Sequence, residues 1–120
     1  MSPNPLASAM AIAANTHRIR LGQAANIITW HHPVRIAEAA AMLDIVSGGR
    51  VEFGVGRGYQ PRESEVLGKP FGSTIQDQER NRVAFPEAFK LIIKCWTQDS
   101  FKHKGDFFSI PPSYTQWNHK

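Results

Sequence analysis

The run Gly54-Val55-Gly56-Arg57-Gly58-Tyr59 holds the residue types best suited to chemistry in this chain of 120 residues. Glycines where a strand gives way to a loop let backbone N–H groups come close to an anion or a ring. Arg57 adds a planar, permanently charged fork that matches phosphate. The spacing comes near a dinucleotide fingerprint, but that pattern needs glycine at its sixth position, opening a helix, and Tyr59 stands there. On residue types alone, a tight turn carrying a solvated arginine is as good a reading as a phosphate seat. Asn26 is the second candidate: an amide at the end of the preceding strand could bond a bound ring, or serve only as a local turn contact.

Other reactive types point to structure. His31 and His32 have no second pair of ligands at a useful spacing, so no metal site is expected, and His32 reads as the flank of a helix start. Asp44, Ser47 and Arg50 look like a helix end whose carboxylate pairs with the arginine entering the next strand. Cys95 lies among Ile92, Ile93 and Trp96 with no base near it in sequence, which suits a packed thiol.

The elements that must position these residues follow from periodicity and punctuation. Leu6 to Asn15 is rich in good helix formers. Arg18 to Ile28 reads as one strand, with Gly22, Ala24 and Asn26 alternating onto one face. Pro33 opens a second helix with a stripe through Ile36, Ala40 and Leu43, and Gly48-Gly49 stops it. Arg50 to Gly56 is the next strand, with Val51, Phe53 and Val55 on one face and Glu52, Gly54 and Gly56 on the other, the two glycines leaving a bare wall. Residues 57–72 read as a long ligand-touching loop. Thr74 with Asp77 resembles a capping box before a helix with a stripe through Phe85, Phe89, Ile92 and Trp96; Pro86 should kink that helix or begin another. Phe101 to Ile110 reads as a hairpin turning at Lys104-Gly105-Asp106, followed by a Pro-rich tail, so that 101–120 forms a terminal unit.

Helices between strands imply an α/β fold with parallel strands and a right-handed crossover. Two parallel strands do not finish a sheet, so the chain reads as part of something larger.

Composition narrows the classes. The 42% hydrophobic and 20% charged residues are ordinary globular usage, which argues against disorder. The net charge of +4 is scattered among acidic residues, so nucleic acid is not an expected partner. No apolar run is long enough for a membrane helix, and the apolar start lacks the basic flank of a signal peptide. The single cysteine rules out an internal disulfide and suits the cytoplasm.

Several segments, in order and spacing, resemble the bacterial luciferase-like, flavin-dependent monooxygenases. They are Arg18-Ile19-Arg20-Leu21-Gly22, His32-Pro33-Val34-Arg35, Leu43 to Arg50, and Phe53 to Tyr59, continuing through Glu63–Gly68 to Trp96 and Gly105. The resemblance covers nearly all of residues 1–120. It implies a fragment of a TIM (β/α)8 barrel, about strands three and four with flanking helices, on the order of a third of the barrel. It further implies reduced FMN, or in one branch a deazaflavin coenzyme, bound at the C-terminal mouth. Small organic substrates and O2 would be the reactants, with a flavin reductase and a second copy of the chain as partners.

Carried over by position, Arg57 resembles the phosphate contact and Gly56 a residue lying against the flavin. Gly58, Tyr59 and Asn26 complete the expected cofactor set. No catalytic group is identified, since those belong to strands absent here. A non-catalytic flavin-binding or interaction role remains open, because the resemblance includes flavoproteins without monooxygenase activity.

Overall fold

The computed structural model describes residues 4–71 and 76–112 and is α/β. Helix α1 (Pro5–Ala14) starts where the Asn4 side chain accepts the Ala7 N–H at 3.1 Å, as a cap should. Helix α2 (Pro33–Ser47) begins at Pro33 and ends at Gly48, whose φ of 67° is the left-handed stop expected there. Its buried stripe includes Ile36, Ala40 and Leu43, as the spacing implies.

The first expected strand is two short pieces, β1 (Leu21–Gly22) and β2 (Asn26–Ile27). The second is β3 (Val51–Glu52) and β4 (Val55–Gly56). Pairing is parallel: Leu21 and Gly22 lie opposite Val51 and Glu52, and Asn26 and Ile27 opposite Val55 and Gly56. Three residues, Gln23 to Ala25, therefore face two, Phe53 and Gly54, and the Ala24–Ala25 peptide is cis.

An extra residue on one strand flips every later side chain to the other face. Asn26 therefore does not share a face with Gly22 and Ala24. Those two are exposed, whereas Asn26 is 2% exposed and lies in register with Val55, which packs toward the helices. Alternation in the second strand holds. Val51 packs with Leu21, Leu43, Ala9 and Ala13, and Phe53 and Val55 pack against Ile28, Ala88, Leu91 and Ile92.

Gly54 is where the strands come closest. A Cβ there would collide with the Gln23 carbonyl oxygen, while Gly54 O accepts the Asn26 N–H at 2.8 Å. The expected bare wall at Gly54 is therefore filled by the neighbouring backbone.

The guanidinium of Arg50 does not pair with Asp44. It donates to Ser47 O (2.6 Å), Thr16 Oγ1 and Ile19 O (3.0 Å each), Ala13 O (3.1 Å) and Thr16 O (2.9 Å). The role is structural as expected, but the partners are a hydroxyl and carbonyls at the ends of α1 and α2 and in the segment before β1; a cation at a helix C-terminus is favoured by the helix dipole. Asp44 instead accepts the Val51 N–H at 3.4 Å.

Beyond β4 the expected loop is largely helical. A turn α3 (Pro61–Glu63) runs through irregular helical turns at Ser64–Gly68 and Lys69–Phe71, burying Ser64 and Gly68. Helix α4 (Gln78–Thr97) follows as one helix through Pro86, capped by Asp77, which accepts the Arg80 N–H at 2.8 Å; Thr74 lies outside the described residues. Its buried face is Asn81, Ala84, Ala88, Leu91 and Ile92; of the expected stripe, Ile92 is buried and Phe85 partly buried against the core, while Phe89 and Trp96 are not. Small residues let α4 close onto α2, leaving Phe89 and Trp96 over a third exposed. Trp96 still donates its indole N–H to Ala37 O at 3.0 Å and meets Phe53 edge to face. Cys95 is partly buried against this core, and burial pushes its thiol up.

The hairpin forms as expected from β5 (His103–Lys104) and β6 (Ser109–Ile110). Its tie to the helices is Glu87 on α4. The carboxylate accepts N–H groups from Asp106 (3.1 Å), Phe107 (3.2 Å) and Phe108 (2.9 Å), and lies 2.9 Å from His103 Nε2. A side chain at Gly105 would overlap it. Burial pushes the Glu87 carboxyl up, but the bonds from His103, Phe108 and Phe107 outweigh that and hold it below the ordinary value.

Two outcomes follow. Gly54→Ala should cost about 1–3 kcal/mol by overpacking, read as a lower denaturation midpoint at unchanged slope; an unchanged midpoint would show that the close approach is not required. A depressed carboxyl contributes stability above its unfolded value of 4.5 that is lost as pH falls through the lower folded value. Glu87→Gln should therefore lose about 1.5–3 kcal/mol of hairpin docking at neutral pH, together with the acid dependence below pH 4.5. Protection of the Phe107 and Phe108 amides in hydrogen exchange reports it, and equal protection in the variant at pH 7 would refute the role.

Candidate functional site

The C-terminal ends of two parallel strands are where α/β proteins commonly place ligands, because loops and glycines gather there. Here β2 and β4 end side by side, and a groove of about 1030 Å³ opens across Asn26, Gly56, Arg57, Gly58 and Tyr59. All five expected cofactor residues line it. Its lining includes apolar residues, Leu6 and Met10 of α1 and Ala39 and Met42 of α2, together with His31, Arg35, Arg57, Tyr59 and Glu63.

Arg57 is exposed, and among the described residues its guanidinium makes no hydrogen bond or ion pair. Its backbone, by contrast, is pinned: the carbonyl accepts Thr29 Oγ1 at 2.6 Å and Asn81 Nδ2 at 3.3 Å. Thr29 sits in the short helical turn Ile28–Trp30 that follows β2, so strand, turn and α4 together fix where Arg57 leaves the sheet. A fixed root with an unengaged charged head is what an anion seat needs.

Gly56 is partly open, though a Cβ there would press on Ile27 Cδ1 at 3.0 Å and Ala25 Cβ at 3.3 Å, so its missing side chain makes room for neighbours first. Gly58 has φ 74°, and a Cβ on it would approach Ile27 Cγ2 at 2.7 Å and Trp30 Nε1 at 3.0 Å. Tyr59 is 78% exposed at the rim. Asn26 contributes wall, but its amide already donates to Gln23 Oε1 at 2.8 Å and Gly54 O at 3.2 Å, which is the local contact foreseen as its alternative role.

His31 also lines the groove, and desolvation holds it below its ordinary value, favouring the neutral ring. His32 is lowered by desolvation and by the Arg35 charge, and its ring meets Phe108 and Phe71 edge-on at 5.5 and 6.5 Å. Its place at the helix start is as expected. With Arg35 tied to Glu38 at 2.9 Å, Arg57 is the cation of the groove that other described side chains leave unneutralised.

Trp30 and Thr29 were not singled out from sequence. Thr29 is buried and anchors Arg57, and Trp30 lines the groove while its indole nitrogen is buried without a partner among the described residues. A polar-tipped pair between a strand and His-His-Pro is the available signal, but only the tertiary neighbour shows its use. Among the described residues no group of three or more metal-ligating side chains gathers, and no helix is long and apolar enough to cross a membrane.

With this geometry in view, comparison with known proteins is direct. The family described as Luciferase-like monooxygenase matches residues 1–120. The oxygenase component of flavin-dependent trigonelline monooxygenase from Acinetobacter baylyi is 32% identical over 111 residues, covering 92% of this chain and 29% of that protein. F420-dependent glucose-6-phosphate dehydrogenase from Amycolatopsis mediterranei is 34% identical over 110 residues, 91% of this chain and 32% of that one. The fold matches the oxygenating constituent of 3,6-diketocamphane monooxygenase from Pseudomonas putida, solved with FMN, at a TM-score of 0.78 and 24% identity, over 89% of this chain and 28% of that one. The chain thus spans about a third or less of the length of these relatives. The match over its whole length places the chain in the luciferase-like monooxygenase family.

Proposed function

We infer that this chain is the cofactor-holding portion of a flavin-dependent monooxygenase, corresponding to strands three and four of a (β/α)8 barrel. One observation carries this reading. The groove at the ends of β2 and β4 gathers Asn26, Gly56, Arg57, Gly58 and Tyr59 around an arginine whose head group is unengaged.

The residues fit a phosphorylated flavin. The groove has the size class of cofactor clefts, with apolar residues to meet a ring and an unengaged arginine to meet a phosphate. The buried indole N–H of Trp30, without a partner among the described residues, is a further donor for an anionic oxygen. In this reading Arg57 holds the phosphate, Gly56 and Gly58 let the ligand approach the backbone, and Tyr59 closes the rim. Reduced flavin, when bound, supplies the two electrons with which one atom of O2 enters a small organic substrate and the other leaves as water. The oxygenase component among the relatives supports a separate reductase as the source of reduced FMN.

A deazaflavin coenzyme is the second reading, favoured by the F420-dependent relative at 34% identity. Both coenzymes carry phosphate, so Arg57 serves either.

Calorimetric titration with FMN tests the assignment. Arg57→Ala should weaken binding by about 1.5–3 kcal/mol, the worth of a charge-assisted bond, with little change in stability because the side chain is exposed. Equal affinity in the variant would remove the phosphate role, and tighter binding of the deazaflavin than of FMN would favour the second reading.

A further inference from the structure

We propose that Trp30 is a second hydrogen-bond donor of the anion seat, its indole N–H given to an oxygen of the phosphate that Arg57 holds. The proposal rests on the phosphorylated-flavin reading above and adds a residue to it.

The argument starts from an unmet bond. Trp30 Nε1 is buried and has no acceptor among the described residues, whereas Trp96 donates its indole N–H to Ala37 O at 3.0 Å. Indole can only donate, so a buried and unpaired Nε1 is a cost that any acceptor would remove. Trp30 is a residue of the wall of the groove that holds Arg57, and its Nε1 lies beneath that wall next to the position of Gly58, the residue after Arg57. At Gly58 any side chain would sit against it, with the hypothetical Cβ 3.0 Å from Nε1 and 3.1 Å from Cε2. Glycine, with φ 74°, thus keeps the position beside the nitrogen clear of a side chain.

The placement of the tryptophan is also fixed. It ends the turn Ile28–Trp30, whose Thr29 binds the Arg57 carbonyl at 2.6 Å, so donor and cation are tied to one another through a single hydrogen bond. A guanidinium and an indole N–H beside a glycine form a two-donor seat for a tetrahedral oxyanion. Glu63, the carboxylate on the groove, is an acceptor and cannot take part in binding the anion.

The test compares wild type with Trp30→Phe, which keeps the aromatic body and removes the donor, by calorimetry with FMN and with riboflavin as probes. We expect the FMN dissociation constant to rise about tenfold, riboflavin affinity to stay unchanged, and the denaturation midpoint of the ligand-free protein not to fall. In wild type labelled with 15N-tryptophan, the Trp30 indole proton should move downfield as FMN is added. Unchanged FMN affinity in Trp30→Phe, an equal loss for riboflavin, or an indole proton that does not move would each overturn the proposal. If wild type binds no FMN, the flavin reading falls and this one with it. If Arg57→Ala binds FMN normally while Trp30→Phe does not, the Arg57 role fails and the Trp30 donor stands.

Discussion

The close approach of Gly54 to the Gln23 carbonyl is the constraint on which the rest of the structure turns. Because no side chain stands at Gly54, the strands can draw together there, with three residues against two. That count sends Asn26 toward the helices, sets Ile27 opposite Gly56, and brings the ends of β2 and β4 level. Arg57 and Gly58 then leave the sheet beside the turn that carries Thr29 and Trp30. With an even count, Asn26 would face away from the helices, and the groove would be walled by different atoms.

Two half-buried charged groups hold the elements around this pair, and both bind chiefly main-chain groups. Arg50 binds backbone carbonyls and a hydroxyl at the junction of α1, α2 and β3. Glu87 binds backbone N–H groups of the hairpin turn along with His103. Each side chain satisfies main-chain groups that the ends of helices and tight turns leave orphaned. Geometry is thereby fixed more sharply than by a surface ion pair, such as the exposed pairing of Arg20 with Glu52.

Much of this was legible in the residues. Pro33 and Gly48 bracket α2 because each suits only one end of a helix, and Val51, Phe53 and Val55 alternate because one face of the strand is covered. The candidate set from Asn26 to Tyr59 converges on one groove because glycines and a fork-shaped cation cluster at a strand end. What stayed hidden depends on partners distant in sequence. Gln23-Ala24-Ala25 gives no sign that it holds one residue more than the strand opposite. In α4 the large residues suggested a stripe through Phe89 and Trp96, but the buried positions are the small Ala84 and Ala88 along with Leu91 and Ile92. Asp44 looked like the partner of Arg50 from spacing, and only the end of α1 supplies enough acceptors to outbid it. Residues 61–71 lack periodicity because their turns are irregular, not because they are open loop.

The paired strands lie thirty residues apart along the chain at Leu21 and Val51, and α2 fills half of that separation. Joining ends across a flexible segment carries an entropic cost that grows with its length. Once α2 is wound, the flexible part shrinks to the short joints on either side of Pro33 and Gly48, and the search for the partner strand becomes nearly local. The helix that covers the sheet is therefore also what makes the uneven alignment at Gly54 quick to find, and β3 is expected to reach its register only after α2 has formed.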